Sequence, residues 1–201
     1  MRAFHRIRIF TFLCFCWANF GYGSTAKERK QIVFIVNPIS HEIKNQNVEK
    51  LIKSDLDHNK YEYTIVYTQH ANHATKLAHE ALERSVDIIA AVGGDGTVNE
   101  VGKALVHTKG TLAIVSVGSG NGLARHLGIP IGIVRVVKAL NFARSVTIDT
   151  AKINDRVFLG VAGVGVDAHI AQEFANFGKR GFFPIASSHL KNWQGIHLRI
   201  T

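Results

Sequence analysis

The sequence is short of the residues that staple or stiffen a chain. Its two cysteines, Cys14 and Cys16, both sit near the start. No disulfide framework can hold the body, and a lone Cys-x-Cys without a second pair is not a zinc signature. Two small apolar side chains in a hydrophobic stretch is the plainer reading. Three prolines stand against eighteen glycines, which suggests tight, closely approached backbone and little disorder. Acids are outnumbered, 15 against 24 basic residues, for a net charge of +9. A basic surplus suits anionic partners such as nucleotide phosphates, an acidic membrane surface or nucleic acid, and does not choose among them. No apolar run reaches the roughly 20 residues a membrane-spanning helix needs. There is no internal repeat and no low-complexity segment. Neither Gly-x-Gly-x-x-Gly nor Gly-Lys-Ser/Thr occurs, so neither a dinucleotide fingerprint nor a Walker loop is present.

What is present is 46% apolar residues over 201 positions, enough for one large domain or two small ones. Residues 31–36 (QIVFIV), 86–92 (VDIIAAV) and 111–117 (TLAIVSV) are continuous apolar runs rich in branched side chains, the mark of strands buried on both faces. Residues 61–67 read as a further strand. Between them lie helical stripes: Val48, Leu51, Ile52 and Leu56; Ala74, Leu77, Ala78, Ala81 and Leu82; Val98, Val101 and Leu105. Short helices fit 122–127 and 133–142. Alternation of strand and helix predicts an α/β fold with a parallel sheet and helices on both faces. From Ser145 the pattern becomes short strands, 146–149, 151–153 and 157–162, with Asn154-Asp155 as a hairpin turn. Helices fit 167–177 and 184–193, and residues 197–200 look like a strand opening.

Two glycine-rich loops follow buried strands. Gly93-Gly94-Asp95-Gly96-Thr97 runs on into Val98-Asn99-Glu100. Its glycines leave no side chain between backbone and a phosphate. Asp95 could hold a divalent metal, and Thr97 opens a helix whose amino-terminal amides favour anions. Glycines alone would be explained by an ordinary strand-to-helix turn, but Asp-Gly-Thr-x-Asn-Glu after a buried strand would not. The second loop is Gly118-Ser119-Gly120-Asn121-Gly122-Leu123-Ala124-Arg125. Parallel strands end on one edge, where open α/β sheets bind ligands, so both loops belong to one site. Gly120, Asn121 and Arg125 form its substrate-side loop. Arg125 reads equally well as a phosphate contact or a solvated helix residue.

The paired motifs GGDGTVNEV and GSGNGLARHLGIP resemble the diacylglycerol kinase catalytic-domain family, which includes bacterial lipid kinases and sphingosine kinases. The resemblance covers about residues 30–200. It implies an NAD-kinase-like and phosphofructokinase-like nucleotide domain followed by a β-sandwich. The implied domains are residues 28–144 for ATP and 145–201 for the start of the lipid-side domain. It implies ATP and Mg2+ as cofactors, the metal on Asp95. The implied reaction is γ-phosphate transfer to a lipid hydroxyl, of diacylglycerol or a sphingoid-like base, at a membrane surface and not on nucleic acid. Asn37, Pro38 and Ser40 match the family's Asn-Pro-x-Ser-Gly, with His41 in place of the last glycine. Thr68 and Ser119 match its nucleotide-side hydroxyls, and Gly94 to Glu100 its central ATP loop. Gly122 stands where many bacterial members have Asp. Val164-Gly165-Val166-Asp167-Ala168 resembles a segment of the second domain. The family's general base is a carboxylate later in the sandwich, expected beyond residue 201. Of the late acids here, Asp167 and Glu173, neither is expected to replace it.

Residues 1–27 are set apart. Arg2, Arg6 and Arg8 precede an apolar run over 9–18, then small residues Gly21, Gly23, Ser24 and Ala26. That is the layout of a secretory signal, yet an ATP-dependent enzyme works in the cytoplasm. A misassigned start, a weak membrane-associating tail and a true signal are all open, and each leaves residues 1–27 outside the fold. His70, His73 and His79 read as a solvated polar face. Phe174, Phe177, Phe182, Phe183 and Trp193 read as core before acyl-chain cleft. Two rivals stand beside the lipid kinase: a soluble NAD-kinase-like enzyme, and a truncated product that only binds nucleotide.

Overall fold

The computed structural model describes residues 5–11, 29–40, 43, 47–160, 162 and 165. Its elements are β1 (His5–Thr11), β2 (Lys30–Val36), α1 (Val48–Asp55), β3 (Tyr61–Tyr67), α2 (His73–Glu83), β4 (Ile88–Gly93), α3 (Asp95–Leu105), β5 (Thr111–Ser116), α4 (Gly122–His126), α5 (Ile133–Leu140), β6 (Arg144–Ile153) and β7 (Arg156–Phe158). The strands form one seven-stranded sheet in the order β3-β2-β4-β5-β1-β6-β7. β2, β3, β4 and β5 run parallel, as the alternating pattern predicts.

Branched, unbroken apolar runs put β4 and β5 at the centre, where every residue is buried. β3, at the edge, alternates instead. From β2 the chain crosses through α1 to β3, then back through α2 to β4 on the other side of β2. Right-handed crossovers in opposite directions place their helices on opposite faces. Accordingly α1 packs with α5, and α2 with α3. The direction of winding reverses between β2 and β4, and the carboxyl ends of those two strands frame a crevice.

Part of the segment expected outside the fold is in the sheet. β1 pairs with β5 in parallel, Arg8 opposite Thr111 and Ile9 opposite Leu112. It pairs with β6 antiparallel along its full length, from His5–Thr150 to Thr11–Arg144. The physical reason is the alternation Arg6-Ile7-Arg8-Ile9. A period of two turns both isoleucines into the core, 2% and 0% exposed, and leaves both arginines in solvent. Arg6 reaches Asp149 on β6 at 3.3 Å.

The expected boundary at 144/145 also shifts. β6 does not open a second sheet. Its first residues pair with β1 and its last three with β7, and the first compact unit extends to Gly160. The expected strands 146–149 and 151–153 are one strand, and 157–162 is the shorter β7. The hairpin at Asn154-Asp155 forms as read, with Ile153 opposite Arg156 and Asn154 at φ 51°, a left-handed conformation that asparagine tolerates. The second unit, Val161–Thr201, lies almost wholly outside the described residues. So do the expected helices 167–177 and 184–193, the strand opening at 197–200, Asp167, Glu173 and the late aromatic group.

Candidate functional site

Three loops meet where the winding reverses. The first follows β2. Asn37 donates its backbone N–H to the Val92 carbonyl of β4 at 2.9 Å, and its side-chain amide to Thr97 Oγ1 at 3.2 Å. Its own Oδ1 accepts from Ile39 N–H at 3.1 Å, and Ser40 N–H closes on the Asn37 carbonyl at 3.2 Å. Asn37 thereby makes the turn and fastens it to the next loop. Pro38 is exposed on that turn and Ser40 is buried. Thr68, half-buried at the end of β3, donates its N–H to Val36 at 2.9 Å.

The second loop runs from β4 into α3. Thr97 folds back under Gly93: a Cβ on Gly93 would sit 2.4 Å from Thr97 Oγ1. The third loop follows β5 and lies against the second. A Cβ on Gly118 would come within 2.7 Å of the Gly94 Cα, and one on Gly120 within 2.7 Å of Asp95 Oδ2. These glycines are required by protein packed against protein. Gly96 differs, since a Cβ there would meet nothing within 4 Å. Glycine favours a helix less than alanine does, and no neighbour among the described residues asks for it. It leaves open space over the amino end of α3, where amides and the positive end of the helix dipole favour an anion.

Asp95 is exposed, yet both its oxygens are engaged. Oδ2 accepts Asn121 N–H at 2.8 Å and Oδ1 accepts Gly122 N–H at 2.9 Å. Asn121 is 2% exposed at φ 56°. Its side chain closes the loop on Gly118, accepting from the N–H at 3.1 Å and donating to the carbonyl at 2.6 Å. Both ends of its side-chain amide are thus spent within the loop. Arg125 Nε donates to the Gly120 carbonyl at 3.0 Å on an exposed surface, and Ser119 is exposed beside it.

Two residues expected at the nucleotide bond to neighbouring elements. Asn99 Oδ1 accepts Leu159 N–H at 3.0 Å, just past β7. Glu100 Oε2 accepts Ala74 N–H at 3.2 Å, and its carbonyl accepts Thr75 Oγ1 at 2.9 Å. Asn72, the residue before α2, makes no capping bond of its own, so Glu100 supplies the cap from another helix. Beside Thr68 the rings of His70 and His73 stack at 4.7 Å, with His73 Nδ1 accepting Gln69 N–H at 3.1 Å. Two of the three histidines are thus paired with each other, which spacing along a helix could not reveal.

Among the described residues no group of three or more His, Cys, Asp or Glu stands together. Mg2+ is ordinarily held by one or two carboxylates plus phosphates and waters, and the single carboxylate at these loops is occupied by two amides. The residues present do not make a protein-built metal site.

Among known proteins, the diacylglycerol kinase catalytic domain matches residues 31–153. The chain is similar to a diacylglycerol kinase of Bacillus subtilis (strain 168), 35% identical over 140 residues, covering 68% of this chain and 46% of that one. It is also similar to a diacylglycerol kinase of Staphylococcus aureus (strain MRSA252), 32% identical over 149 residues, covering 72% and 47%. The chain spans just under half the length of these relatives. A crystal structure of a diacylglycerol kinase from Bacillus anthracis str. Sterne aligns over 58% of this chain and 43% of that one, at 27% identity and TM-score 0.48.

Proposed function

Because the chain belongs to the diacylglycerol kinase catalytic domain family, we propose that it carries the ATP site of a lipid kinase. That kinase moves the γ-phosphate of ATP to a lipid hydroxyl, of diacylglycerol or a sphingoid-like base. The observation that carries the reading is the uncovered amino end of α3. Gly96 has nothing within 4 Å of its missing side chain, at the crevice where open α/β sheets take ligands.

In this reading the amides of Gly94, Gly96 and Thr97 receive the donor phosphates, and Ser119 and Arg125 approach from the third loop. Asn37 and Thr97 act together through their hydrogen bond, keeping the β2 turn against the phosphate loop. Pro38, Ser40 and Thr68 line the same edge. Mg2+, typical of the family, would come with the nucleotide's phosphates. Phosphoryl transfer depends mainly on positioning and on stabilising charge, which preorganised amides can supply. Both oxygens of Asp95 already accept amide bonds, so in this reading the base is a carboxylate other than Asp95. No helix among the described residues is long and apolar enough to cross a membrane. Peripheral attachment, favoured by the net charge of +9, would bring the site to its lipid.

The test is calorimetric titration with Mg-ADP. The wild-type chain should bind, and Gly96→Ala should bind at least about tenfold more weakly while unfolding no more easily, since alanine favours the helix by up to ~1 kcal/mol. No binding by the wild-type chain would refute the reading. Labelled phosphate from ATP offered to diacylglycerol and to NAD would separate the lipid kinase from an NAD-kinase-like enzyme.

A further inference from the structure

The metal role expected of Asp95 and the bonds it makes disagree. Resting on the nucleotide reading above, we propose that Asp95 is a positioning residue. Its carboxylate holds the third loop against the amino end of α3 and gives no bond to a metal.

Three observations carry this. First, the two oxygens grip consecutive amides, Asn121 N–H at 2.8 Å and Gly122 N–H at 2.9 Å. A cation at the carboxylate would face the positive ends of those same dipoles. Second, the loop wraps the carboxylate closely. The missing Cβ of Gly120 lies 2.7 Å from Oδ2 and that of Gly122 3.9 Å from Oδ1. Third, Asp95 belongs to no group of three or more His, Cys, Asp or Glu among the described residues.

The staple also solves an electrostatic problem. An anionic side chain in the first turn of α3 would repel the phosphates that the same helix end attracts. Two charge-assisted amide bonds draw that charge toward the third loop. In return the loop is held where its own groups reach the crevice. Asn121 closes it on Gly118, and Arg125 leans on the Gly120 carbonyl. The positions of Ser119 and Arg125 thus depend on Asp95.

Asp95→Asn is the direct test, because asparagine can accept at one oxygen only and turns an N–H toward the other amide. ADP binding by the full chain is measured in EDTA and again in excess Mg2+. The expected result is a loss of about tenfold in affinity, by the same factor in both. In amide NMR spectra of the free protein, the Asn121 and Gly122 protons should move upfield. A loss confined to the Mg2+ titration would make Asp95 a metal ligand and overturn the proposal, as would unchanged affinity in both. If Asp95→Asn does not fold, Gly120→Ala decides. Its added Cβ displaces the carboxylate while keeping its charge, and should give the same metal-independent loss; unchanged binding or a metal-only loss again overturns the proposal. Failure of the wild-type chain to bind ADP would sink the nucleotide reading instead, a distinct result, since shifted Asn121 and Gly122 amides would still report the staple.

Discussion

Replacing Ile9 by alanine separates a leader from a strand. If residues 1–27 lay outside the fold, the change would be silent. In the structure Ile9 is fully buried, opposite Leu112 on β5 and Val146 on β6. Truncating a buried isoleucine to alanine costs about 2–5 kcal/mol through lost burial and the cavity left behind. The site is enclosed by strands on both sides, so it can collapse little, and about 3 kcal/mol is a fair expectation. With a urea dependence of about 1–3 kcal/mol per molar, the midpoint should fall by about 1–3 M. Arg8→Ala, one residue away on the exposed face, should change stability by no more than about 0.5 kcal/mol. The contrast between neighbours tests the alternation itself. Far-UV circular dichroism against urea reads both variants. An Ile9→Ala midpoint equal to wild type would refute the placement of β1. Removing the strand altogether should be worse, because β1 is the only described partner joining β6 to β5.

Glu100→Ala should destabilise by about 1 kcal/mol, the usual cost of losing a helix cap, with Glu100→Gln retaining most of it; urea midpoints decide, and equal losses in both would argue against the cap. Tyr61→Phe should cost about 1–2 kcal/mol, because its hydroxyl donates to the Leu140 carbonyl at 3.1 Å in a buried site. Burial, and secondarily the Asp57 charge, raises the Tyr61 pKa above its ordinary 10.0. Its stabilisation is therefore full below about pH 10 and lost as pH rises through the folded value. Tyr61→Phe should remove that component of alkaline unfolding, and an unchanged alkaline profile would show that Tyr61 does not contribute to it.

The central strands were legible because they are buried on both faces. Residues 31–36 and 111–117 are mostly apolar and branched, and the observed β2 and β5 differ from them by one residue. That the glycine-rich loops meet was legible too, since parallel strands end on one edge. β1 was not. Its alternating stretch is four residues long and runs into an apolar segment, so basic-then-apolar imitated a signal. Its pairing is also remote, Arg8 with Thr111, and no local pattern announces a partner so distant. The boundary at 144/145 was misplaced for the same reason. Short strands after a helix read as a new sheet only if β1 is not there to receive them.

The glycines show how far composition can go in locating a site. Read in sequence, every glycine of both loops suits a phosphate. In three dimensions Gly93, Gly118 and Gly120 are accounted for by Thr97, Gly94 and Asp95, and would be needed if no ligand ever bound. Gly96 alone among the described glycines of the second loop faces open space. The same division runs through the motif's polar residues. Asp95, Asn99 and Glu100 bond to the third loop, to Leu159 and to α2 respectively. α3 is thus tied to its neighbours at three residues in its first half, the amino-terminal Asp95 among them, while Gly96 stays exposed. A helix end held rigidly by protein bonds presents its amides without reorganisation when an anion arrives, and preorganisation of that kind is what makes such donors effective. The polar residues of the motif are thus spent on holding that backbone still.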